Sequence, residues 1–206
     1  DAVIRALEAR GLRVRTAFAA GLDTRPVVER WFRNPDGSAA IDALVSLSGF
    51  SLVGGPAWHD AEGARAVLAD LDVPFMVAQP LEFQTLDSWS EDPRGLTPLE
   101  TALMVAMPEL DGAVSPMVFG GRAGSATSDS PDAAPLPERV EHLAERVARW
   151  IRLRHTARKE RKLAVVLFNF PPNAGNAGTA AYLDVFPSLH ALMVRLAAEG
   201  YDIDVP

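Results

Sequence analysis

Between Phe168 and Leu183 the chain runs through Pro171-Pro172-Asn173-Ala174-Gly175-Asn176-Ala177-Gly178-Thr179. These residue types suit anion binding: glycines let a backbone approach closely, and a helix opening near Thr179 would present free N–H groups. Asn173, Gly175, Asn176, Gly178 and Thr179 are the candidate ligand contacts of this loop. It is neither G-x-x-x-x-G-K-[ST] nor G-x-G-x-x-G, so it carries no nucleotide fingerprint. Two more loops are expected on the same sheet edge, Ala19–Arg25 and Ser48–Pro56. Arg25 could meet an acidic ligand group, and Phe50 could stack on a flat one. Each loop also has a plain structural explanation, since glycines permit tight turns, and for the 171–179 loop strand-to-helix geometry is the better-supported reading.

Other chemistry-bearing residues have structural readings beside the functional ones. His59-Asp60 could carry a proton or weakly hold a metal, or could be a surface pair or helix cap. His142 and His155 lie on a charged helix and His190 on a helix of core spacing; none pairs at i, i+4 as a zinc helix requires. Glu82, Gln84 and Thr85 are expected in a loop, for acid–base work or for capping the turn at Asp87-Ser88-Trp89. Glu109 and Asp111 could bind a cation or form a polar turn with Gly112 as its stop. Trp58 and Trp89 could stack on a ligand or simply pack.

Elements that position these residues alternate along the chain. Helices are expected at 1–10, 24–32 (Thr24 N-cap, Pro26 in the first turn), 60–70, 97–109 and 137–155. Thr97, Pro98 and Glu100 form a capping box. Strands are expected at 12–19, 41–47, 74–78, 114–119, 163–168 and 201–205, with Pro116 marking an edge or a strand start. Such alternation predicts a parallel-sheet α/β fold with Rossmann-like layers, in two α/β subdomains. The expected division is 1–122, a Gly/Ser/Pro-rich linker at 123–136, and 137–206 as a helix and the start of a second subdomain. No internal repeat of fixed period is visible.

The 206 residues are 48% hydrophobic and 23% charged, with a net charge of −7, which argues against a nucleic-acid surface. The basic run from Arg146 to Lys162 complements a helix C-terminus or forms a docking patch. With no cysteine there is no disulfide or thiolate site, which fits a reducing compartment. No apolar run reaches the roughly 20 residues of a membrane span, and no signal-peptide pattern opens the chain. A helix-like start and a strand-like end suggest a piece of a longer polypeptide.

Four blocks, in order and at natural spacing, resemble the large porphyrin-binding (H) subunit family of magnesium chelatase. They are Asp42 to Pro56, Leu71 to Thr85, Pro108-Glu-Leu-Asp-Gly112 and Phe170 to Leu183. Gly21-Leu-Asp23 with Glu29 and Phe32 is similar too, so the resemblance covers nearly the whole chain; Ala123–Pro135 departs from it. The related cobaltochelatase large subunit shares the architecture. Ser48-Gly-Phe50, Gly54-Gly-Pro56 and Phe83-Gln-Thr85 look closer to the magnesium branch.

The resemblance implies a cytoplasmic segment of the subunit that binds protoporphyrin IX for Mg2+ insertion in (bacterio)chlorophyll synthesis. Mg2+ and protoporphyrin IX would be substrates, and ATP would be used by AAA+ partner subunits rather than bound here. Partners would be the remainder of the large polypeptide and those motors. No catalytic or metal residue carries over onto this stretch, and the isolated segment is expected to be inactive. A non-catalytic scaffold or docking segment, a cobaltochelatase segment, or a small-molecule binder of periplasmic-binding type are the alternatives.

Overall fold

A computed structural model describes residues 1–55, 57–123, 133–167 and 184–206. The chain divides into two units, Asp1–Ile151 and Arg152–Pro206.

The first unit is built on a four-stranded sheet whose order is β1 (Leu44–Ser46), β4 (Phe75–Thr85), β5 (Met117–Arg122), β6 (Ala133–Pro135). Strands β1 (Leu44–Ser46), β4 (Phe75–Thr85) and β5 (Met117–Arg122) run parallel. Strand β6 (Ala133–Pro135) lies inside the expected linker and pairs antiparallel with β5. A two-stranded ladder joins β2 (Gly54–Gly55) to β3 (Trp58–His59).

Alternating side chains of the sheet feed a separate core on each face. On one side Leu44, Phe75 and Val77 meet α2 (Arg25–Trp31) through Val28 and α3 (Ala61–Leu71) through Leu68 and Leu71. On the other, Met76 and Ala78 meet α1 (Ala2–Glu8) and α7 (Pro137–His155) through Val3, Leu7, Leu143 and Val147. A third cluster joins Leu81, Leu86, Met104 and Val118 under α4 (Leu86–Glu91). Full burial of each such aliphatic side chain contributes roughly 1.5–3 kcal/mol.

Local chemistry sets the helix ends. The Asp60 carboxylate accepts from the Gly63 amide at 2.8 Å and caps α3. Thr85 caps α4 through the Ser88 amide, the structural use expected of it. The capping box at Thr97 and Glu100 is present and opens α5 (Pro98–Glu100). This continues as a π-turn (Thr101–Ala106) into α6 (Met107–Asp111), which stops at Gly112 with φ +114°.

Some expected elements differ. Strand β4 runs on to Thr85, so Glu82, Gln84 and Thr85 belong to a strand and not to a loop; the ladder passes Pro80 by a register shift. The helix expected at 97–109 carries a π segment through its middle. Thr24 stands at the N-cap of α2, but its hydroxyl donates to the Leu52 carbonyl at 2.6 Å instead of capping. Residues 12–19 form no ladder: Leu12 and Val14 pack on the core beside α1 and α7, and Phe18 is 87% exposed.

In the second unit, α8 (Val185–Ala198) buries none of its side chains, so the core spacing around His190 is not used among the described residues. Arg158 bonds the Glu199 carboxylate at 2.6 Å and Arg161 reaches the Tyr201 hydroxyl at 3.3 Å. Among the described residues, the described part of the expected strand at 163–168, and 201–205, lack ladder partners, as 12–19 does: a strand forms only against another edge. No helix among the described residues is long and apolar enough to cross a membrane.

Candidate functional site

The first unit holds a cleft of about 1420 Å³. It is lined by residues of α1, the extended residues 12–19 and residues 40–48, continuing through Phe50 to Leu52. Phe119, Val147 and Ile151 also line it. Arg5, Arg13 and Arg15 bring positive charge to the α1 wall, where the Arg15 guanidinium also donates to the Trp31 carbonyl at 2.7 Å.

Two expected ligand loops meet at this cleft. The Gly54 amide donates to the Leu22 carbonyl at 2.7 Å, and the Thr24 amide to the Leu52 carbonyl at 3.2 Å. Those bonds tie the loop after residue 19 to the loop after β1, and Leu22, Thr24 and Phe50 all face the cleft. Arg25 does not line it. Its guanidinium grips Asp23 in a fork at 2.9 and 2.6 Å and lies 3.7 Å from Asp60. That side-chain hydrogen bond holds the Asp23 carboxyl below its ordinary range and raises the Arg25 pKa. Arg25 therefore spends its charge inside the loop. Asn173, Gly175, Asn176, Gly178 and Thr179 lie outside the described residues.

The structure joins two features that sequence kept apart. The Asp111 side chain is fully buried. One of its oxygens accepts from the Ser51 hydroxyl at 2.6 Å and the Leu52 amide at 2.8 Å. The other lies 2.7 Å from His59 Nε2. A carboxylate in this setting is tolerated because three polar groups face it. The β2–β3 ladder delivers His59, α6 delivers Asp111, and the loop between β1 and β2 wraps over both. Fifty-two residues separate the pair, and each had a sufficient local explanation, so spacing offered no signal. Only the Asp-Gly stop and the His-Asp cap were readable.

Glu100 is also fully buried. Its Oε2 accepts from Thr97 N and Oγ1 and from Gln84 Nε2, at 2.9, 2.8 and 2.5 Å, while Oε1 has no partner. Gln79 Nε2 donates to the Met104 carbonyl, within the π segment, at 3.2 Å. A smaller cavity of about 320 Å³ lies between the π segment, β5 and α7, with the Arg139 guanidinium over the Trp89 ring. Among the described residues no three His, Asp or Glu side chains converge as metal ligands would.

The family model described as CobN/Magnesium Chelatase matches residues 1–206. The magnesium-chelatase H subunit of Rhodobacter capsulatus is 50% identical over 98% of this chain and 18% of its own length. The chloroplastic magnesium-chelatase ChlH of Oryza sativa subsp. indica is 45% identical over 98% of this chain and 14% of its own. The solved catalytic subunit of cobaltochelatase from Mycobacterium tuberculosis superposes with a TM-score of 0.72 at 30% identity, covering 97% of this chain and 16% of that one. The chain thus spans less than a fifth of the length of these relatives, and nearly all of it aligns with each: it belongs to the CobN/magnesium chelatase family.

Proposed function

We propose that this chain is a segment of a large chelatase subunit that binds protoporphyrin IX and takes part in Mg2+ insertion for (bacterio)chlorophyll synthesis, in the cytoplasm. The observation that carries the magnesium assignment is identity: 50% to a magnesium-chelatase subunit against 30% to a cobaltochelatase one. Insertion replaces two pyrrole N–H protons with one dication, so two protons must leave as Mg2+ enters. A macrocycle needs flat apolar walls and cations for its propionates. In this reading the segment supplies wall and not metal chemistry: Phe50 stacks on the ring, Arg25 holds its loop in place, and Asn173, Gly175, Asn176, Gly178 and Thr179 cradle a propionate. ATP is hydrolysed by AAA+ partner subunits and is not bound by this segment.

Titrating the full polypeptide with deuteroporphyrin, followed by tryptophan quenching, tests this. Phe50→Ala is expected to weaken binding by up to about tenfold, the worth of one aromatic contact, and Asn176→Ala to weaken it less. Full-length protein that binds no porphyrin would sink the reading.

A scaffold role has one observation in its favour. Helix α8 exposes Phe186 (62%), Leu192 and Val194 with no side chain buried, which suits a surface packed against further protein.

A further inference from the structure

Strand β1 ends the sheet order, and its outer edge has no partner among the described residues. Residues of β1 line the 1420 Å³ cleft, and so does the extended stretch 12–19, which also has no ladder among the described residues. Two unpaired extended segments face one gap.

Crossover handedness says what fills it. From β1 to β4 the chain crosses by α3, on the face that also carries α2. Parallel connections are right-handed in nearly every case, so a crossover on this face moves from β1 toward β5. Helix α2 lies on the same face and leads from 12–19 to β1, which puts 12–19 outside β1. Helix α1 packs on the opposite face, with α7. A right-handed crossover through α1 must run the other way, so the strand feeding α1 lies on the β1 side of 12–19. The gap is that place.

A second observation agrees. Helix α1 ends through Gly11 at φ +77° and passes into an extended segment; α8 ends through Gly200 at φ +87° and does the same. The apolar run Leu163–Leu167 precedes α8 in sequence. The second unit thus orders an apolar run, a helix, a glycine stop and an extended run, and the same order in the first unit calls for an apolar run before α1.

We propose that the cleft is a docking groove for one parallel β-strand contributed by the same polypeptide on the N-terminal side of α1. Relatives more than five times as long as the matched region have ample chain to supply it. The strand pairs with β1 on one side and with 12–19 on the other. It makes the central partner where crossovers change face, the position outside which open α/β sheets hold ligands. The loop after this strand then emerges beside Leu22, Thr24 and Phe50, so the ligand crevice is incomplete without it.

The test uses the full polypeptide without porphyrin, so its result does not depend on the proposed substrate. Cysteine pairs are placed at Val14 with Ala43, Val45 or Leu47 and treated with a mild oxidant, and amide exchange is read over 12–19 and 44–47. An intervening strand holds the paired Cα atoms about 9.6 Å apart, beyond the roughly 6.8 Å limit of a disulfide. The expected result is no cross-link in any pair, with exchange in both segments slowed on the order of 100-fold or more relative to unprotected peptide. A cross-link would show that 12–19 zips directly onto β1 and would overturn the proposal. So would fast exchange at both segments, or protection that appears only when porphyrin is added.

Discussion

Replacing Asp111 tests whether the buried network holds the loop that lines the cleft. Three donors face its carboxylate, and the alternatives open to each set the cost. The Ser51 hydroxyl can turn fully to the Val53 carbonyl, 3.0 Å away. His59 retains 20% side-chain exposure and can reach water. The Leu52 amide, in a residue only 4% exposed, loses its Asp111 acceptor and keeps the penalty of a buried unpaired donor, about 1–3 kcal/mol. Adding the lost contacts of a buried charged acceptor, Asp111→Ala should cost about 3–5 kcal/mol. Asp111→Asn should cost about 1 kcal/mol: its oxygen still serves Ser51 and Leu52, and its amide can donate to Nε2 of the other His59 tautomer. All four tryptophans, Trp31, Trp58, Trp89 and Trp150, lie in the first unit. Urea unfolding followed by tryptophan fluorescence therefore reports on the unit in question. An alanine variant within about 1 kcal/mol of wild type, or an asparagine variant as damaged as alanine, would refute the reasoning.

Gly54 has φ +104°, and a Cβ there would stand 2.2 Å from the Trp58 carbonyl oxygen; Gly54→Ala should destabilise by about 2 kcal/mol or more and free His59, seen as a shifted urea midpoint and changed His59 ring resonances. Removing the capping box and its Gln84 and Thr97 bonds by Glu100→Ala should cost about 2 kcal/mol in the same unfolding assay, whereas Glu100→Gln should retain more than half of it. The Asp23 carboxyl, held low by Arg25, adds stability above the unfolded carboxylate range near pH 4 and loses it as pH falls through its lower folded pKa. Because that side chain is 38% exposed, the contribution is at most about 1 kcal/mol; Asp23→Asn should flatten the acid limb of a stability-versus-pH curve measured between about pH 5 and pH 2.

How far the sequence could be read depended on whether an element is determined locally. Helix α7 runs from Pro137 to His155 as its apolar stripe predicts, and the Thr97 capping box needs only residues within one turn. Strand β4 runs past its expected end at Ala78; the register shift between Gln79 and Pro80 lets the ladder skip the donor that Pro80 lacks. Residues 12–19 have the right alternation yet no strand, since pairing is supplied by another edge and no local pattern encodes it. The His59–Asp111 contact was illegible for the same reason: both residues satisfied short-range roles, as neighbours of a cap and of a helix stop. Arg25 had the opposite fate, since its charge looked free in sequence while Asp23 two residues earlier consumes it.

The fork of Arg25 on Asp23 and the Asp111 network act on one piece of backbone. Arg25 fixes the loop that Leu22 and Thr24 tie to Leu52 and Gly54. Asp111 fixes the same stretch from beneath, through Ser51 and Leu52. At Gly49 an added Cβ would lie 3.3 Å from Gln79 Oε1, so the loop sits close on β4 as well. Phe50 is therefore flanked by residues anchored from three directions while its own ring remains half-buried at the cleft. A ring held this way before any ligand arrives loses little freedom on contact, and such preorganisation is how a wall without catalytic groups strengthens binding. Under the proposed porphyrin role, the buried polar residues of the segment would affect the ligand without touching it. Under that same role, their loss should lower porphyrin affinity of the full polypeptide in proportion to how far Phe50 is released.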